Sequence, residues 1–366
     1  MTFPNFVPVS QWLNKDLTFP LLIAGPCSAE SEDQMIATAT AIKNLGGVKI
    51  FRAGIWKPRT RPGSFEGFGE EALKWMQQVK NETGLYTITE VANPVHVEMA
   101  LRYGVDMLWI GARTVSNPFS VQELAEVLKG ADVPVFVKNP VTPDLSLWIG
   151  AIERFGKVGI NKMAAIHRGF YPYETTRLRN IPKWEIAIDL KSHFHDLPLL
   201  CDVSHIAGDR KYLAEVAQES LDLDFNGLMI ETHIKPEEAR SDASQQVNPE
   251  GLKELLNNLV FRQSLTSNSE FNTQIDRFRR QIDSIDSQLI ELLGQRMDIA
   301  RQIGEYKQKN NVSIFQLRRW EKIISTRLRL GKKLKLDENF ILKLLHLVHQ
   351  ESIKTQAEFM HKAKDN

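Results

Sequence analysis

Only two cysteines, Cys27 and Cys201, occur in 366 residues. That is too few for the disulfide framework of a secreted protein. Both lie in apolar runs, so a reducing cytoplasm is the expected compartment. No apolar stretch reaches 18 residues, which excludes an ordinary transmembrane helix. The opening segment MTFPNFVPVSQWLNKD has no basic stretch followed by an apolar one, so no signal peptide is expected. A charge excess is missing too: 46 Lys and Arg stand against 45 Asp and Glu. The sequence also lacks the roughly 20–50-residue repeats of solenoids.

What is present is ordinary globular material, 42% apolar and 25% charged. Such a chain needs no disulfide staples. The near-neutral total hides an asymmetry. From Glu270 onward 19 Lys and Arg face 13 Asp and Glu, a net charge of +6, and the preceding part carries −5. Two units of opposite sign read as two domains, as does the length at roughly 100–200 residues per domain. The segment RQSLTSNSE, Arg262 to Glu270, is polar and has no apolar period. The expected division is 1–262, a linker at 263–270, and 271–366.

Eight runs rich in β-branched and aliphatic residues precede the linker. They are Leu21–Gly25, Val48–Gly54, Tyr86–Val91, Met107–Gly111, Pro134–Asn139, Met163–Gly169, Leu197–His205 and Gly227–His233. Helical stretches such as Glu32–Leu45, Gly69–Glu82, Val95–Tyr103, Val121–Lys129 and Asp209–Gln218 separate them. Alternating strands and helices imply a parallel sheet with crossover helices. Eight units over about 240 residues predict an α/β fold of the (β/α)8 TIM-barrel type.

Unusual polar residues gather at the C-terminal ends of these runs, where such barrels build their sites. They are Cys27, Lys57-Pro58-Arg59-Thr60, Glu90, Arg113, Lys138, His167-Arg168, Asp202, His205, Glu231 and His233. Taken singly, each is as readily a satisfied loop residue. All eight ends together point to a site. Lys57, Arg59, Arg113, Lys138 and Arg168 supply five cations, which suits substrates carrying phosphate and carboxylate. Five buried like charges would be costly without such ligands. Cys27, His205, Glu231 and Asp242 offer a thiolate, an imidazole and two carboxylates. That donor set suits a borderline divalent ion such as Mn²⁺, Co²⁺, Zn²⁺ or Fe²⁺ better than Mg²⁺ or Ca²⁺. Cys27 taken alone reads more commonly as a small buried hydrophobe.

Beyond the linker the chain turns helical. Ile275, Phe278, Ile282, Ile285, Leu289, Leu292, Ile299, Ile303 and Tyr306 keep a 3-4 spacing over about nine turns. Asn310-Asn311 is expected to end this helix. A second is expected over Leu317–Leu330, stopping at Gly331, and a third from the cap Asp337 to about Met360. A helix of about 35 residues spans about 50 Å, long for so small a domain, so it is expected to pack on a second copy. In heptad register Arg296 takes an apolar a position. Lys307 follows about three turns later on nearly the same face. A snorkelling arginine on a wet seam is the plain alternative.

The segments AGPCSAE (24–30), KPRTRPGSFEG (57–67), IGAR (110–113), DVSH (202–205) and Glu231…Ser241-Asp242 resemble 3-deoxy-D-arabino-heptulosonate 7-phosphate (DAHP) synthase of the type I beta subclass. The resemblance covers essentially the whole first domain. It implies a shikimate-pathway enzyme that condenses phosphoenolpyruvate with erythrose 4-phosphate. It also implies Cys27, His205, Glu231 and Asp242 as metal ligands. Arg113, Lys138 and Arg168 would hold phosphoenolpyruvate, and Lys57, Pro58, Arg59 and Thr60 the sugar phosphate. Val203 stands where relatives commonly have proline. Octulosonate 8-phosphate synthases share such a barrel but carry an Asn-containing segment in place of KPRT, so Lys57–Thr60 favours the four-carbon sugar.

The second domain resembles the all-helical chorismate mutases from about Thr273 to Ala363, on the strength of 278–307, Arg319 and QESIKTQ (350–356). The resemblance implies a dimer that rearranges chorismate to prephenate. Arg296 and Arg279 of the other copy would clamp the carboxylates, and Lys307 and Gln356 would face the ether oxygen. Arg319 and Ser352 would complete the pocket. Gln316 and Trp320 stand where relatives show Asp and Glu. That departure leaves the strength of catalysis open, and with it a domain that mainly senses ligand. The expectation is thus a bifunctional, feedback-regulated, cytoplasmic enzyme with catalytic Lys138, His205, Arg296, Lys307 and Gln356. The rivals are a helical domain that only dimerises, and a basic nucleic-acid binder. The inward placement of the cations argues against the latter, and neither nucleic acid nor membrane is expected as partner.

Overall fold

Asparagine, aspartate or serine opens most of the crossover helices, and a closed parallel barrel results. The computed structural model describes residues 5–13, 17–57, 65–262 and 267–362. The strands and helices run β1 (Leu21–Gly25), α1 (Glu32–Leu45), β2 (Ile50–Arg52), α2 (Glu70–Thr83), β3 (Tyr86–Val91), α3 (Pro94–Arg102), β4 (Met107–Ile110), α4 (Ala112–Val115) and α5 (Pro118–Leu128). They continue β5 (Val135–Lys138), α6 (Leu145–Lys157), β6 (Met163–His167), α7 (Trp184–His193), β7 (Leu199–Asp202), α8 (Val203–Ala207), α9 (Leu213–Asp222), β8 (Gly227–Glu231) and α10 (Pro249–Asn258). Every strand pairs in parallel with its sequence neighbour, and β8 closes on β1 with Leu21 opposite Gly227 and Gly25 opposite Glu231.

The caps follow simple chemistry. The Ser31 hydroxyl accepts from Gln34 N at 3.1 Å, and Asn93, Asn117 and Asn248 cap helices whose first residue is proline. Proline has no N–H to leave unpaired there, and its fixed φ suits the first turn. The strands are buried on both faces, as parallel barrels require. Ile23, Ile50, Ile88, Met107, Trp109, Phe136, Ile166, Leu200 and Met229 fill the interior. Val9, Trp12 and Leu17 join this cluster, and Val7 N bonds Asn161 O just before β6. The N-terminal segment therefore plugs the bottom and leaves the opposite mouth free. β7 stops at Asp202, short of the expected His205. Asp202 caps α8 instead and places His205 on that helix.

The chain divides at Ser264/Leu265 into two compact units. The second contains α11 (Ser269–Lys309), α12 (Leu317–Lys333) and α13 (Glu338–Lys362). Helix begins at Ser269 under an Asn268 cap, inside the expected linker, of which 263–266 lie outside the described residues. With 41 residues, α11 is about 60 Å long. It ends at Asn310 as expected, and Asp337 caps α13 by accepting from Phe340 N at 2.8 Å. Gly331 does not end α12, which continues to Lys333. It is a packing glycine: a Cβ there would lie 2.9 Å from Ile341.

The face of α11 that meets α13 is not the apolar stripe. Arg296 reaches Val348 O, Gly304 abuts Gln356, and Gln308 bonds Met360 O. The constant separation of 52 residues shows the two helices advancing in the same direction. A Cβ on Gly304 would sit 3.1 Å from Gln356 Cα, so glycine permits this close approach. Phe278, Ile282, Ile285, Leu289, Leu292, Ile299, Ile303 and Tyr306 stay 45–71% exposed within this chain.

Candidate active sites in the barrel mouth and the helical unit

Strand ends place the side chains around the barrel mouth. Arg52 ends β2, Lys138 β5, Asp202 β7 and Glu231 β8. Lys138 also lines a cavity of about 300 Å³, together with Lys57, Arg113, Arg168, Arg179 and His205 and with Glu90 and Asp242 as its acids. Gly111 belongs to this rim for a steric reason: a Cβ would fall 2.1 Å from Glu90 Oε1.

Three expected ligands come together. Donor atoms of Cys27, Glu231 and Asp242 all lie within 4.8 Å of one another. Cys27 Sγ is 3.4 Å from Asp242 Oδ2. Glu231 Oε1 is buried and accepts no aligned hydrogen bond, although Arg52 Nη2 lies 3.2 Å away. A thiol, two carboxylates and an under-coordinated buried oxygen fit a divalent ion. His205 stands beside this group and is not part of it. Its Nδ1 lies 3.8 Å from Glu231 Oε1 but is engaged by Asp202 at 3.0 Å. Asp202 is held well below the usual carboxylate range, since His205 and Lys138 outweigh its burial. An ionised carboxylate only accepts, so Nδ1 carries the proton and Nε2 keeps its lone pair. Burial lowers the His205 pKa, which also favours the neutral ring.

Burial, with Glu231 and Asp242 adding, pushes the Cys27 thiol up to about 12. Lys57 points its ammonium at this sulfur, 3.0 Å from Sγ and 2.9 Å from Cys27 O. Asp242 resists its burial because Arg179 and His205 pull it down to about 2. Arg179 lies 3.0 Å from it.

Of the five expected cations, four lie in the described residues, and two of these have partners within the barrel. Lys138 is paired with Asp202 at 2.6 Å, and Lys57 rests on Cys27. Pro58, Arg59 and Thr60 lie outside the described residues. Arg113 and Arg168 line the cavity, and burial lowers Arg168 to about 10 with Arg179 and Arg113 contributing. Arg168 donates to Asn180 Oδ1 at 2.9 Å. His167, by contrast, faces the helices, among Trp148, Phe170, Trp184 and Phe225.

Two mouth residues escaped the sequence reading, Arg52 and Arg179. Arg52 is fully buried, ion-paired to Glu231, with its guanidinium 4.9 Å from the Trp109 ring centre. A charge inside the apolar run Val48–Gly54 was the available signal. Arg179 had none, because a loop far along the chain delivers it.

In the helical unit, Arg296 meets the Ser352 hydroxyl and Val348 O. Lys307 donates to Ile314 O, and Gln356 is buried with its Oε1 unpartnered among the described residues. Burial lowers Lys307, and burial with Arg327 nearby lowers Arg296. The ion pairs of α11 are Arg279–Asp276, Arg301–Asp298 and Lys309–Glu305. Among the described residues neither Arg296 nor Lys307 joins one. Three expected residues, Arg296, Ser352 and Gln356, thus share the α11–α13 seam, while Lys307 reaches Ile314 O beyond the end of α11. Arg279 and Arg319 are not brought to it; both are exposed.

The family model described as DAHP synthetase I family matches residues 15–266. The chain belongs to the DAHP synthetase I family. The model for chorismate mutase type II matches residues 278–357, a span that includes Arg279 and Gln356. The protein is therefore an enzyme that joins a DAHP synthase domain to a chorismate mutase domain. A phospho-2-dehydro-3-deoxyheptonate aldolase of Thermotoga maritima is 30% identical over 235 residues, 64% of this chain and 67% of that one. The crystal structure of a Thermotoga maritima DAHP synthase aligns with TM-score 0.58 at 28% identity, covering 65% of this chain and 67% of that one. A 2-dehydro-3-deoxyphosphooctonate aldolase of Vesicomyosocius okutanii is 27% identical over 68% of this chain and 93% of its own length.

Proposed function

We propose that the barrel condenses phosphoenolpyruvate with erythrose 4-phosphate, giving DAHP and phosphate, and that the helical unit rearranges chorismate to prephenate. The observation that carries the first half is the three-donor group beside a cation-lined cavity. Cys27, His205, Glu231 and Asp242 would hold a divalent ion, Mn²⁺ foremost, with Co²⁺, Zn²⁺ or Fe²⁺ as alternatives. Bound there, it would supply Lewis acidity toward the sugar aldehyde.

Arg113, Lys138 and Arg168 bind phosphoenolpyruvate in this reading, and Lys57, Pro58, Arg59 and Thr60 bind erythrose 4-phosphate. C3 of phosphoenolpyruvate attacks the aldehyde carbon, water adds at C2, and phosphate leaves with C–O cleavage. Asp202 fixes Lys138 and orients His205 before substrate arrives. Fixed cations lower the cost of charge moving to the departing phosphate. An octulosonate-type reaction is the second reading, favoured by relatives such as the Vesicomyosocius okutanii aldolase. Activity with erythrose 4-phosphate against arabinose 5-phosphate, with and without chelator, decides between them. A preference for arabinose 5-phosphate would overturn the first.

For the helical unit, Arg296, Arg319 and Ser352, with Arg279 from a second copy, bind the substrate in this reading. Lys307 and Gln356 face the ether oxygen. The rearrangement needs a compact conformer and positive charge at that oxygen, and no proton transfer. The uncovered stripe of α11 supports a homodimer through this unit. A helical unit that only dimerises predicts no chorismate consumption at all. The two reactions are not consecutive, which supports feedback: prephenate or chorismate bound by the helices would inhibit the barrel. Unchanged synthase kinetics under saturating prephenate would end that part.

A further inference from the structure

On α13, His349, Ser352 and Gln356 follow at i, i+3 and i+7, so all three share one face. Ser352 and Gln356 belong to the seam with Arg296. His349 must look the same way, and its electrostatic neighbours agree: Arg296, His346 and Lys307 all act on it. Its ring is not free to turn. Trp320 of α12 stacks on it, centroids 4.1 Å apart and planes 14° from parallel. Phe315 closes from a second side at 6.0 Å. Held this way, Nε2 is buried and has no hydrogen-bond partner among the described residues.

An orphaned buried nitrogen is costly, on the order of 1–3 kcal/mol, unless a ligand completes it. The chemistry of that ligand group follows from the surroundings. Burial and the nearby cations both disfavour the imidazolium, so the ring is neutral. Arg296 and Lys307 are the better partners for carboxylate and ether oxygens. What remains on such a substrate for a neutral ring nitrogen is a hydroxyl. Among the described residues Arg296, Lys307 and His349 join no ion pair with a carboxylate. The hydroxyl therefore has few other protein partners here.

We propose that His349, held by the stacked Trp320, is a specificity-determining residue of the helical pocket that hydrogen-bonds the secondary hydroxyl of the bound dicarboxylate. The proposal rests on the chorismate reading above.

The test uses the full chain. Wild-type chorismate turnover is measured first; its absence would strike the functional reading, not this residue. Binding of the oxabicyclic dicarboxylate mimic of the rearrangement, with and without its hydroxyl, is then measured by calorimetry. His349→Ala should weaken the hydroxyl-bearing mimic about tenfold and leave the deoxy mimic within about twofold. His349→Gln, which keeps a polar group near the ring nitrogen's position, should recover most of the loss. Trp320→Ala should weaken the hydroxyl-bearing mimic too, and add little to His349→Ala, because the two act as one unit. Trp320→Phe retains a stacking ring and guards against a folding defect. Equal losses for both mimics in His349→Ala would mean a packing role. No loss for either would mean no contact. Either result overturns the proposal.

Discussion

The barrel finishes its own packing; the helical unit does not. Closing β8 on β1 leaves no sheet edge, and both faces of every strand are covered. Its buried charges are answered within the same chain, Arg52 by Glu231 and Lys138 by Asp202. On α11 the apolar stripe is exposed within this chain, and among the described residues Arg296 and Lys307 hydrogen-bond only a hydroxyl and backbone carbonyls. The barrel holds its site charges in pairs; the helical unit leaves two cations without an ion pair among the described residues.

The contrast can be broken most sharply at Cys27. Cys27→Ala should cut DAHP formation by about a thousandfold or more, followed as phosphate release, while chorismate consumption stays level. A parallel fall in both would mean that the two sites are not separate. Next in size, Arg296→Ala should lower chorismate turnover about a hundredfold and leave uninhibited DAHP formation intact. A change of less than about threefold would leave Arg296 as a snorkelling side chain.

Smaller is the effect expected at the stripe. Leu289→Glu removes an apolar contact worth about 2 kcal/mol per chain and adds a charge. Sedimentation should show a shift toward monomer, whereas the barrel's melting transition should not move. An unchanged mass would refute the stripe as the interface.

The smallest effect concerns acid. Burial holds His167 down to about 3, against an ordinary value near 6.5. Its contribution is complete above pH 6.5 and is lost as pH falls from there toward 3. The barrel's melting temperature should therefore fall steadily below pH 6.5, and His167→Leu should flatten that slope. His349, only partly enclosed, should make the helical unit less sensitive. Equal slopes in wild type and His167→Leu would remove His167 as the cause.

Strand and helix periods were legible because burial on one or both faces imposes them directly on the sequence. The limits of β1, β3 and α1 fall where the sequence reading placed them. The end of β7 did not, since Asp202 caps α8 where the apolar run continues. Gly331 read as a stop because glycine usually frees a chain end, yet here it makes room for Ile341.

The sequence alone determined two domains, an eightfold βα alternation, a long amphipathic helix and the residue types of both sites. These depend on composition and on periods of a few residues. Only the tertiary structure decided that Cys27 meets Asp242 across 215 positions and that Lys138 is answered by Asp202. It alone set Arg52 under Glu231, turned the bare stripe of α11 away from α13, and clamped His349 against Trp320. The reason is physical. Hydrophobic periodicity is a local constraint, written residue by residue. The pairing of buried charges and rings depends on which distant segments the closed barrel and the packed helices bring within a few ångströms.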